Sequence, residues 1–557
     1  MVPSYPIIRL RLTPQFEGES AIGLAVRLEI PYPNANVGQR LFRFLTRYND
    51  VPGPLLRESD IEAVDDQGPL SVVFQAGDWG GPNTENWWHM DRATMGNLVL
   101  VYKVLAREVD IVLLQGTRLD LLREQRGLVG VGSGFLPDYL SNQVYRTVVE
   151  WSLPPNVPEM TKCVSSFGPG PGPASYVGYA KAIFDSVYMV GPIQSYPPTI
   201  PPAKQGGFGA CHWLGEPPPN LRDKMARVNQ ALAPKMMQYF HARGETWNVF
   251  FRKGRGGHTG LGLLSSCIVE YNEDTVHMSD SLRTHLIAHE MVRTLSDMDR
   301  EDNFYENRWF DEGLAEYYAA VLPYRFGVRD KDYLVCAINR SLQAYFTSPR
   351  LHMDIGTVYP AGWYANLVGC KRGCAYLMWV DGMLRRACGK LDLMQPGPLD
   401  EIVICMSHSR RRGFKFQIKN WIEQLGKHLP VGEMQKHLVG MLQGNIVDFG
   451  GLSGDDSPFR MFPCQKMILD FGFDIGRLYN GHLVGLVAKS PAYHAGLRNG
   501  DVLVNTTSLE ACMNDHRAWL TVEYKRGDQK YTIKFCPRTA KTSAWEMREM
   551  ALGAGLV

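Results

Sequence analysis

The chain has 557 residues, 45% of them hydrophobic and 21% charged, and its 59 basic and 57 acidic residues leave a net charge of +2. A chain of this length exceeds what one hydrophobic core can organise, so about three or four domains are expected. The composition is that of a soluble globular protein. Because nucleic-acid-binding proteins normally carry a marked basic excess, the balanced charge argues against that class.

The sequence predicts a cytoplasmic protein with no membrane partner. No run approaches the roughly 18 uninterrupted apolar residues that a membrane-spanning helix needs. The N-terminal residues lack the apolar core of a signal peptide. The eleven cysteines are an odd number scattered along a long chain, which does not suggest a disulfide framework. Reduced thiols are therefore expected.

The first part of the chain is predicted to be β-rich. From Pro6 to about Leu153, short alternating or wholly apolar runs are separated by clusters of Gly, Pro, Asn and Asp. This pattern is typical of an antiparallel sandwich or saddle. The Gly/Pro-rich segment 165–175 is interpreted as a link, and the first domain boundary is placed near it.

The middle of the chain mixes strands and helices. Segments with strand-like composition alternate with segments whose apolar residues recur at helical spacing, and from about residue 330 to 450 the pattern is mostly helical. An α+β arrangement follows. The predicted strands are 186–193, 247–254 and 263–272, and the predicted helices are 220–244 and 281–298.

The last unit starts near Met461 and reads as a series of strands with a helix start at Ser490. The run from Ser490 to Asp501, SPAYHAGLRNGD, is typical of a PDZ domain. Gly496 and Gly500 lie where tight turns need a positive φ. The alternative interpretation is a generic β-rich tail.

The residues that point to chemistry are a His-Glu pair on a predicted helix and a glutamate that follows it. His289 and Glu290 are the first two residues of a five-residue zinc-peptidase motif, in which the glutamate activates a metal-bound water. The fifth residue, normally a second histidine, is Arg293. Eighteen residues separate Arg293 from Glu312, a spacing at which a second helix can supply a third ligand.

Arg293 changes what this motif can do. Arginine is always protonated and has no lone pair to give a metal. No bound metal is therefore expected, and His289 and Glu312 are interpreted as vestigial ligands. The charge of Arg293 is expected to pair with Glu290 or Glu312.

Together these features resemble the glycyl aminopeptidase family, gluzincin zinc peptidases with a C-terminal PDZ-like domain, in a fungal-type form. The motif is also similar to that of the aminopeptidase N and leukotriene hydrolase clan. The resemblance implies a multidomain α+β chain with four domains. They are an N-terminal β-sandwich or saddle (1–160), a thermolysin-like catalytic domain (175–330), an α-helical domain (331–455) and the PDZ-like domain (461–538).

By the same resemblance, His289 matches the first zinc ligand, Glu290 the general base and Glu312 the third ligand. Two further positions depart from the family pattern. The tyrosine of a Tyr-x-(Lys/Arg)-Gly motif, which stabilises the tetrahedral intermediate, is replaced by Cys370. The edge-strand segment that binds the substrate amine normally carries a glutamate, and the corresponding residues 260–266 carry no acid.

Several positions allow another interpretation. His285 and His289 lie one helical turn apart and could form a shifted pair of ligands, although the shift would move a metal about 6 Å along the helix, away from Glu312. A packed, partly buried His285 is the alternative. Glu290 and Arg293 could form a simple ion pair on one helix face.

Cys370 and Cys374, also one turn apart, suggest either metal or redox chemistry or ordinary core packing. Substrate contacts are predicted for Cys370, for Glu316 and Tyr317 on the helix of Glu312, and for His258 in the Gly-rich loop before the edge strand. A solvated loop histidine is the alternative for His258.

Three functions are compatible with these residues. The first is a repurposed, metal-independent enzyme that isomerises or cyclises a small molecule, for example in specialised metabolism. Glu290, His289, Arg293 and Glu312 would act in the former peptidase cleft between domains. The second is a residual zinc-dependent aminopeptidase, although two protein ligands hold zinc poorly. The third is a non-catalytic protein that binds a short peptide through the PDZ-like domain.

Overall fold

The structure is a computed structural model. It describes most of the chain's residues. These are residues 5–48, 51–78, 83–108, 116–199, 207–216, 219–242, 246–254, 259–272, 278–296, 304–358, 363–412, 414–415, 417–452, 457–475, 481–507 and 509–550.

The chain divides into two compact units. The first comprises Met1–Asn229 and Gly244–Val276, and the second comprises Gln230–Arg243 and His277–Val557. The first unit is rich in strands and the second in helices, and together they make an α+β protein as the sequence predicts. The division into four domains stays a prediction.

The first unit contains 22 strands among the described residues. They are β1 (Ile7–Glu17), β2 (Ser20–Ile30), β3 (Phe42–Tyr48), β4 (Val51–Pro52), β5 (Glu62–Asp65), β6 (Gly68–Leu70), β7 (Val72–Asp78), β8 (Thr84–Met90), β9 (Leu98–Leu105), β10 (Leu122–Glu124), β11 (Gly127–Val131), β12 (Asp138–Tyr139), β13 (Val144–Trp151), β14 (Lys162–Ser165), β15 (Gly168–Pro169), β16 (Ala174–Tyr179), β17 (Val187–Gly191), β18 (Ile193–Tyr196), β19 (Phe208–Leu214), β20 (Thr246–Lys253), β21 (Gly260–Leu263) and β22 (Ser266–Tyr271).

These strands form four sheets. Seven strands pair in the order β16-β13-β1-β2-β9-β5-β6, five in the order β10-β11-β17-β14-β15, and β12-β3-β8-β7 form a third sheet to which β4 is added. The alternation along β1, which buries Ile8, Leu10 and Leu12, is what a sheet with one face on a core requires. Trp88 and Tyr102 pack in the same core. The β-rich N-terminal region is thereby confirmed.

The segment 165–175, expected to be a link, instead carries paired backbone. Strand β15 pairs with β14, and β16 begins inside the segment and pairs with β13. Its glycines allow this, because Gly168, Gly170 and Gly172 all have positive φ, a conformation that other residues rarely adopt. Gly/Pro content here builds tight turns within sheets.

The fourth sheet has the order β18-β19-β20-β22-β21. Its central pairs, β19 with β20 and β20 with β22, are parallel, and β21 closes the edge in antiparallel fashion. The acid-free segment 260–266 is therefore an edge strand and its turn, which agrees with the position expected for it from the sequence.

A buried histidine links three strands of this sheet. His212 on β19 is fully buried, with Ser195 Oγ 2.9 Å from its Nδ1 and Asn248 Oδ1 3.1 Å from its Nε2. Burial lowers the pKa of His212 to about 4, against the opposing effect of Asn248. The imidazole is therefore neutral in the folded protein at neutral pH.

We expect His212 to make the protein acid-sensitive. Because its pKa is about 4 when folded and 6.5 when unfolded, the unfolded state binds the proton first as pH falls. Stability from this group is complete above pH 6.5 and is lost as the pH approaches 4, by roughly 3 kcal/mol. Urea unfolding at several pH values measures the effect. His212→Gln, which cannot titrate, should flatten the slope, and an unchanged slope would contradict the assignment.

Helices dominate the second unit. Helix α1 (Pro219–Tyr239) has residues in both units. It is followed by α2 (Asp280–Leu295), α3 (Phe304–Arg325), α4 (Lys331–Phe346), α5 (Ile355–Val358), α6 (Trp363–Ala387), α7 (Pro398–Arg411), α8 (Ile418–Leu425), α9 (Val431–Leu442), α10 (Pro491–His494) and α11 (Leu509–Asn514). The helical prediction for residues 330 to 450 is confirmed.

Among its described residues, the tail of the second unit adds five strands. They are β23 (Phe459–Leu469), β24 (Val502–Thr506), β25 (Leu520–Arg526), β26 (Gln529–Phe535) and β27 (Arg538–Glu549). Strands β23 and β27 pair with each other, and β24-β25-β26 form a second sheet. Gly496 and Gly500 have φ values of 110° and 89°, as their turns were expected to need. The PDZ-like character of this tail stays a prediction.

The cysteines and the helices bear on the expected reduced thiols and on membrane spans. All eleven cysteines lie in the described part of the chain, and none of them is joined to another in a disulfide. Within the same part of the chain, none of the helices combines the length and the hydrophobicity that crossing a lipid bilayer requires.

Candidate functional site

The candidate site lies on two consecutive helices, α2 and α3, of the second unit. Helix α2 begins where the Ser279 hydroxyl accepts a hydrogen bond from the Leu282 backbone N–H at 3.2 Å, a standard N-cap. His285, His289 and Arg293 follow at intervals of four residues. Since residues four apart lie on one helical face, these three side chains form one row.

Helix α3 presents a matching row in the opposite direction. Arg308, Glu312 and Glu316 are also four residues apart. His289 Nε2 lies 3.3 Å from Glu312 Oε2, and His285 Nε2 lies 3.1 Å from Glu316 Oε2. His285, one turn before His289 on α2, therefore faces Glu316, one turn after Glu312 on α3. This is the pairing that antiparallel helices require. The proximity of His289 and Glu312, predicted from their spacing, is confirmed.

Arg293 binds two carboxylates at once. Its NH1 lies 3.3 Å from Glu290 Oε2 and its NH2 lies 3.2 Å from Glu312 Oε1. The side chains of all three residues are at most 8% exposed, so these are buried ion pairs. Arg308 NH2 is 3.8 Å from the same Glu312 oxygen. The pairing of Arg293 that the sequence predicts involves both glutamates.

Glu316 is the centre of a second set of contacts. Lys371 Nζ on helix α6 lies 2.6 Å from Glu316 Oε1. Ser341 on helix α4 donates its hydroxyl to Glu316 Oε2 at 2.9 Å, and His289 Nδ1 is 3.6 Å from Glu316 Oε1. Four helices therefore supply side chains to one buried cluster.

Two glycines allow α6 to approach α3 this closely. A Cβ on Gly313 would lie 2.5 Å from the backbone carbon of Gly373, far inside van der Waals contact. A Cβ on Gly373 would meet the carbonyl oxygen of Trp309. The absence of side chains at both positions brings the backbone of α6 against α3 and places Lys371 beside Glu316.

The opposing charges shift the proton affinities of the acidic groups. Burial alone would raise the pKa of Glu312, but Arg293 and the hydrogen bond with His289 hold it well below its usual range. Burial is likewise outweighed at Glu316 by Lys371 and His285, so the pKa of Glu316 is also lowered. Both carboxyls are ionised at neutral pH. Burial and the adjacent charge of Glu312 instead raise the pKa of Asp311 to about 7.

The two histidines respond to the cluster in opposite directions. Burial would lower the pKa of His289, but its hydrogen bond with Glu312 and the surrounding carboxylates raise it above 6.5. Burial lowers the pKa of His285 to about 4, despite the nearby Glu316. His285 is therefore neutral at neutral pH, whereas His289 is the more basic of the pair.

The structure brings together five of the predicted site residues: His289, Glu290, Arg293, Glu312 and Glu316. Their roles stay predictions. The outcome is different for the other three predicted residues, Cys370, Tyr317 and His258. Cys370 is buried, and burial followed by the charge of Glu312 raises its thiol pKa to about 12. Tyr317 donates its hydroxyl to Asp381 at 2.6 Å, so its hydroxyl belongs to a different buried network. His258 lies outside the described residues.

Sequence reasoning missed Lys371, Ser341, Arg308 and Asp311 as members of the cluster. Arg308 had a detectable signal, because it lies four residues before Glu312 on the same helix. Asp311 immediately precedes Glu312. Lys371 and Ser341 come from helices that are distant in sequence, and no local pattern connects them with Glu316.

Comparisons with known proteins show which proteins this chain is similar to. Neither a protein-family model nor a curated protein matches the sequence. Solved structures do match. An aminopeptidase N family protein from Idiomarina loihiensis is similar over 98% of this chain and 98% of its own, with 14% identity and a TM-score of 0.62. An M1 zinc metallopeptidase from Deinococcus radiodurans has 13% identity over 82% of this chain and 96% of its own, with a TM-score of 0.49.

The similarity to the Idiomarina loihiensis protein establishes the fold. The chain has a multidomain α+β, gluzincin peptidase-like fold similar to that of the aminopeptidase N family. At 14% identity the likeness extends to the fold alone, and activity has to be argued from the site itself.

Proposed function

We propose that the chain is an enzyme that keeps a peptidase-like fold but works without a metal ion at the position where related peptidases hold zinc. Its reaction is acid/base isomerisation or cyclisation of a small molecule, with specialised metabolism as a natural setting. In the same proposal the chain is a cytoplasmic, fungal-type relative of the glycyl aminopeptidases whose tail is PDZ-like.

The position of Arg293 is the observation that carries this proposal. A catalytic zinc needs three protein ligands with lone pairs, and the register of His289 and Glu312 would require the second one from residue 293. The guanidinium there has no lone pair and lies 3.2 Å from Glu312 Oε1. It neutralises the carboxylate that would otherwise bind the ion. The residues present at this register do not fit zinc.

The same residues are suited to proton transfer. Glu290 can accept a proton from a substrate carbon or oxygen, and His289 can return one to another position. Arg293, fixed between two carboxylates, can stabilise negative charge that develops on a substrate oxygen. Glu312 holds His289 and Arg293 in place at 3.3 and 3.2 Å.

Solvent deuterium incorporation tests this proposal. Protein dialysed against a chelator is incubated in D2O with an extract of small metabolites, and mass spectrometry identifies compounds that gain deuterium without another change in composition. We expect such a compound with the wild-type chain and its loss with Glu290→Gln, which keeps the side-chain shape but cannot accept a proton. Glu433→Gln, on an exposed helix face, should behave as wild type.

Two results would overturn the proposal. One is a wild-type protein that changes no compound in the extract. The other is a protein whose activity consists of releasing amino acids from peptides and depends on zinc, which would favour the alternative of a residual aminopeptidase.

A further inference from the structure

We infer that His285, His289 and Glu316 form a binding site for a divalent transition-metal ion, one helical turn away from the register at which related peptidases hold zinc. The inference goes beyond the proposed function, because the reaction proposed above needs no ion at either register. It rests on a different set of donor atoms.

The donor atoms are close enough to share one ion. One ligand atom from each of the three residues lies within 4.8 Å of the others. In a tetrahedral zinc site with bonds of about 2.0–2.1 Å, ligand atoms are about 3.3–3.4 Å apart. His285 Nε2 is 3.1 Å from Glu316 Oε2, and His289 Nδ1 is 3.6 Å from Glu316 Oε1. Each histidine thus has one oxygen of the Glu316 carboxylate near this spacing.

The antiparallel register of the helices explains why a shifted site exists. Moving the histidine pair back by one turn on α2, from His289 and residue 293 to His285 and His289, moves it away from Glu312. The same shift along α3 leads from Glu312 to Glu316. Both helices thus carry a second set of ligands, offset by the same 6 Å or so, and Arg293 blocks the first set but not the second.

The surroundings agree with a metal-binding carboxylate. Glu316 is oriented by Lys371 Nζ at 2.6 Å and by the Ser341 hydroxyl at 2.9 Å, and metal-binding carboxylates are commonly fixed by such outer contacts.

The ligand types indicate which ion fits. Two imidazoles and one carboxylate are the donor set of many catalytic zinc sites, which leave the fourth position open. Imidazole suits zinc, copper, iron and nickel, whereas magnesium and calcium require mainly oxygen ligands. The site is therefore selective for a zinc-like ion. The positive charge of Lys371 beside Glu316 weakens the affinity of the site for such a cation.

Metal titration of the full chain tests this inference. Zn²⁺ alone is titrated into the purified protein in competition with a chromophoric chelator, and Co²⁺ is added in parallel to read the coordination geometry from its visible absorption. We expect one equivalent to bind with a tetrahedral Co²⁺ spectrum. His285→Ala and Glu316→Gln should each lower Zn²⁺ affinity by about 100-fold or more, since even an outer-shell partner contributes 10–100-fold.

A matched control uses His437, an exposed histidine that lies 3.8 Å from Glu433 on helix α9. His437→Ala should bind Zn²⁺ as wild type does. Circular dichroism establishes that each variant is folded, and Glu316→Gln, which keeps the side-chain shape, carries the test if His285→Ala does not fold. The inference is overturned if the wild-type chain binds no Zn²⁺. It is also overturned if His285→Ala binds it as tightly as wild type, because the ion would then lie between His289 and Glu312.

Discussion

Replacing Arg293 with methionine is expected to lower the free energy of unfolding by about 3–5 kcal/mol, the usual cost of breaking a buried ion pair by removing one partner. Methionine keeps an unbranched apolar chain but leaves Glu290 and Glu312 without their shared cation, with both glutamates nearly inaccessible to solvent. Two like charges then remain close together in a medium of low polarity. Urea unfolding of the variant measures the loss.

A double-mutant cycle separates the charge from the packing. In a chain that already carries Glu290→Gln and Glu312→Gln, the same Arg293→Met change should cost much less, because no buried carboxylate is left uncompensated. Lys390→Met, which breaks an exposed pair with Glu401 at 4.0 Å, should change stability by less than about 1 kcal/mol. An equal cost of Arg293→Met in both backgrounds would show that the guanidinium stabilises the protein through packing alone.

The centre of the site could be predicted from sequence because its information is local. His289, Glu290 and Arg293 lie on one helix, and the spacing to Glu312 fixes the facing turn of the next helix. Helix geometry alone then determines which side chains meet. The same reasoning predicted that Arg293 would pair with a glutamate, although it did not foresee that Arg293 would bind Glu290 and Glu312 simultaneously.

The rest of the cluster depends on packing that no local pattern encodes. Lys371 reaches Glu316 because Gly313 and Gly373 allow two helix backbones to touch. Each glycine is unremarkable in its own segment, and their meaning appears when the two segments are placed together. The prediction of a link at residues 165–175 was wrong for a related reason. Glycine and proline favour a link between domains and a tight turn within a sheet equally well.

The shifted histidine pair illustrates how a correct local argument can be incomplete. From the sequence, the ligand pair His285 and His289 was judged to lie too far from Glu312. The corresponding shift by one turn on the partner helix, which leads to Glu316, was not considered, and Glu316 lies 3.1 Å from His285. An antiparallel pair of helices has to be shifted on both sides at once.

Replacing Arg293 with histidine is expected to create a zinc site at the register of related peptidases. The introduced imidazole would join His289 and Glu312 and so provide the three protein ligands of a catalytic zinc. Removing the guanidinium also removes a cation that, at about 4 Å from the ion and an effective dielectric constant near 20, opposes binding by several kcal/mol. Both effects act in the same direction. We therefore expect Zn²⁺ affinity to rise by about 100-fold or more, above the 10–100-fold range of an outer-shell contact.

Adding His285→Ala to the Arg293→His chain and to the wild-type chain distinguishes the two possible zinc positions. Zn²⁺ bound by His289, Glu312 and the introduced histidine does not use His285, so adding His285→Ala should leave this affinity almost unchanged. In the wild-type chain the same His285→Ala change should abolish tight binding. The metal-free activity proposed for the wild-type chain should meanwhile be lost in Arg293→His, because zinc occupies the place of the guanidinium. If His285→Ala weakened Zn²⁺ binding equally in both backgrounds, the ion would lie between His285, His289 and Glu316 in each case, and Arg293 would not be what separates this site from that of a zinc peptidase.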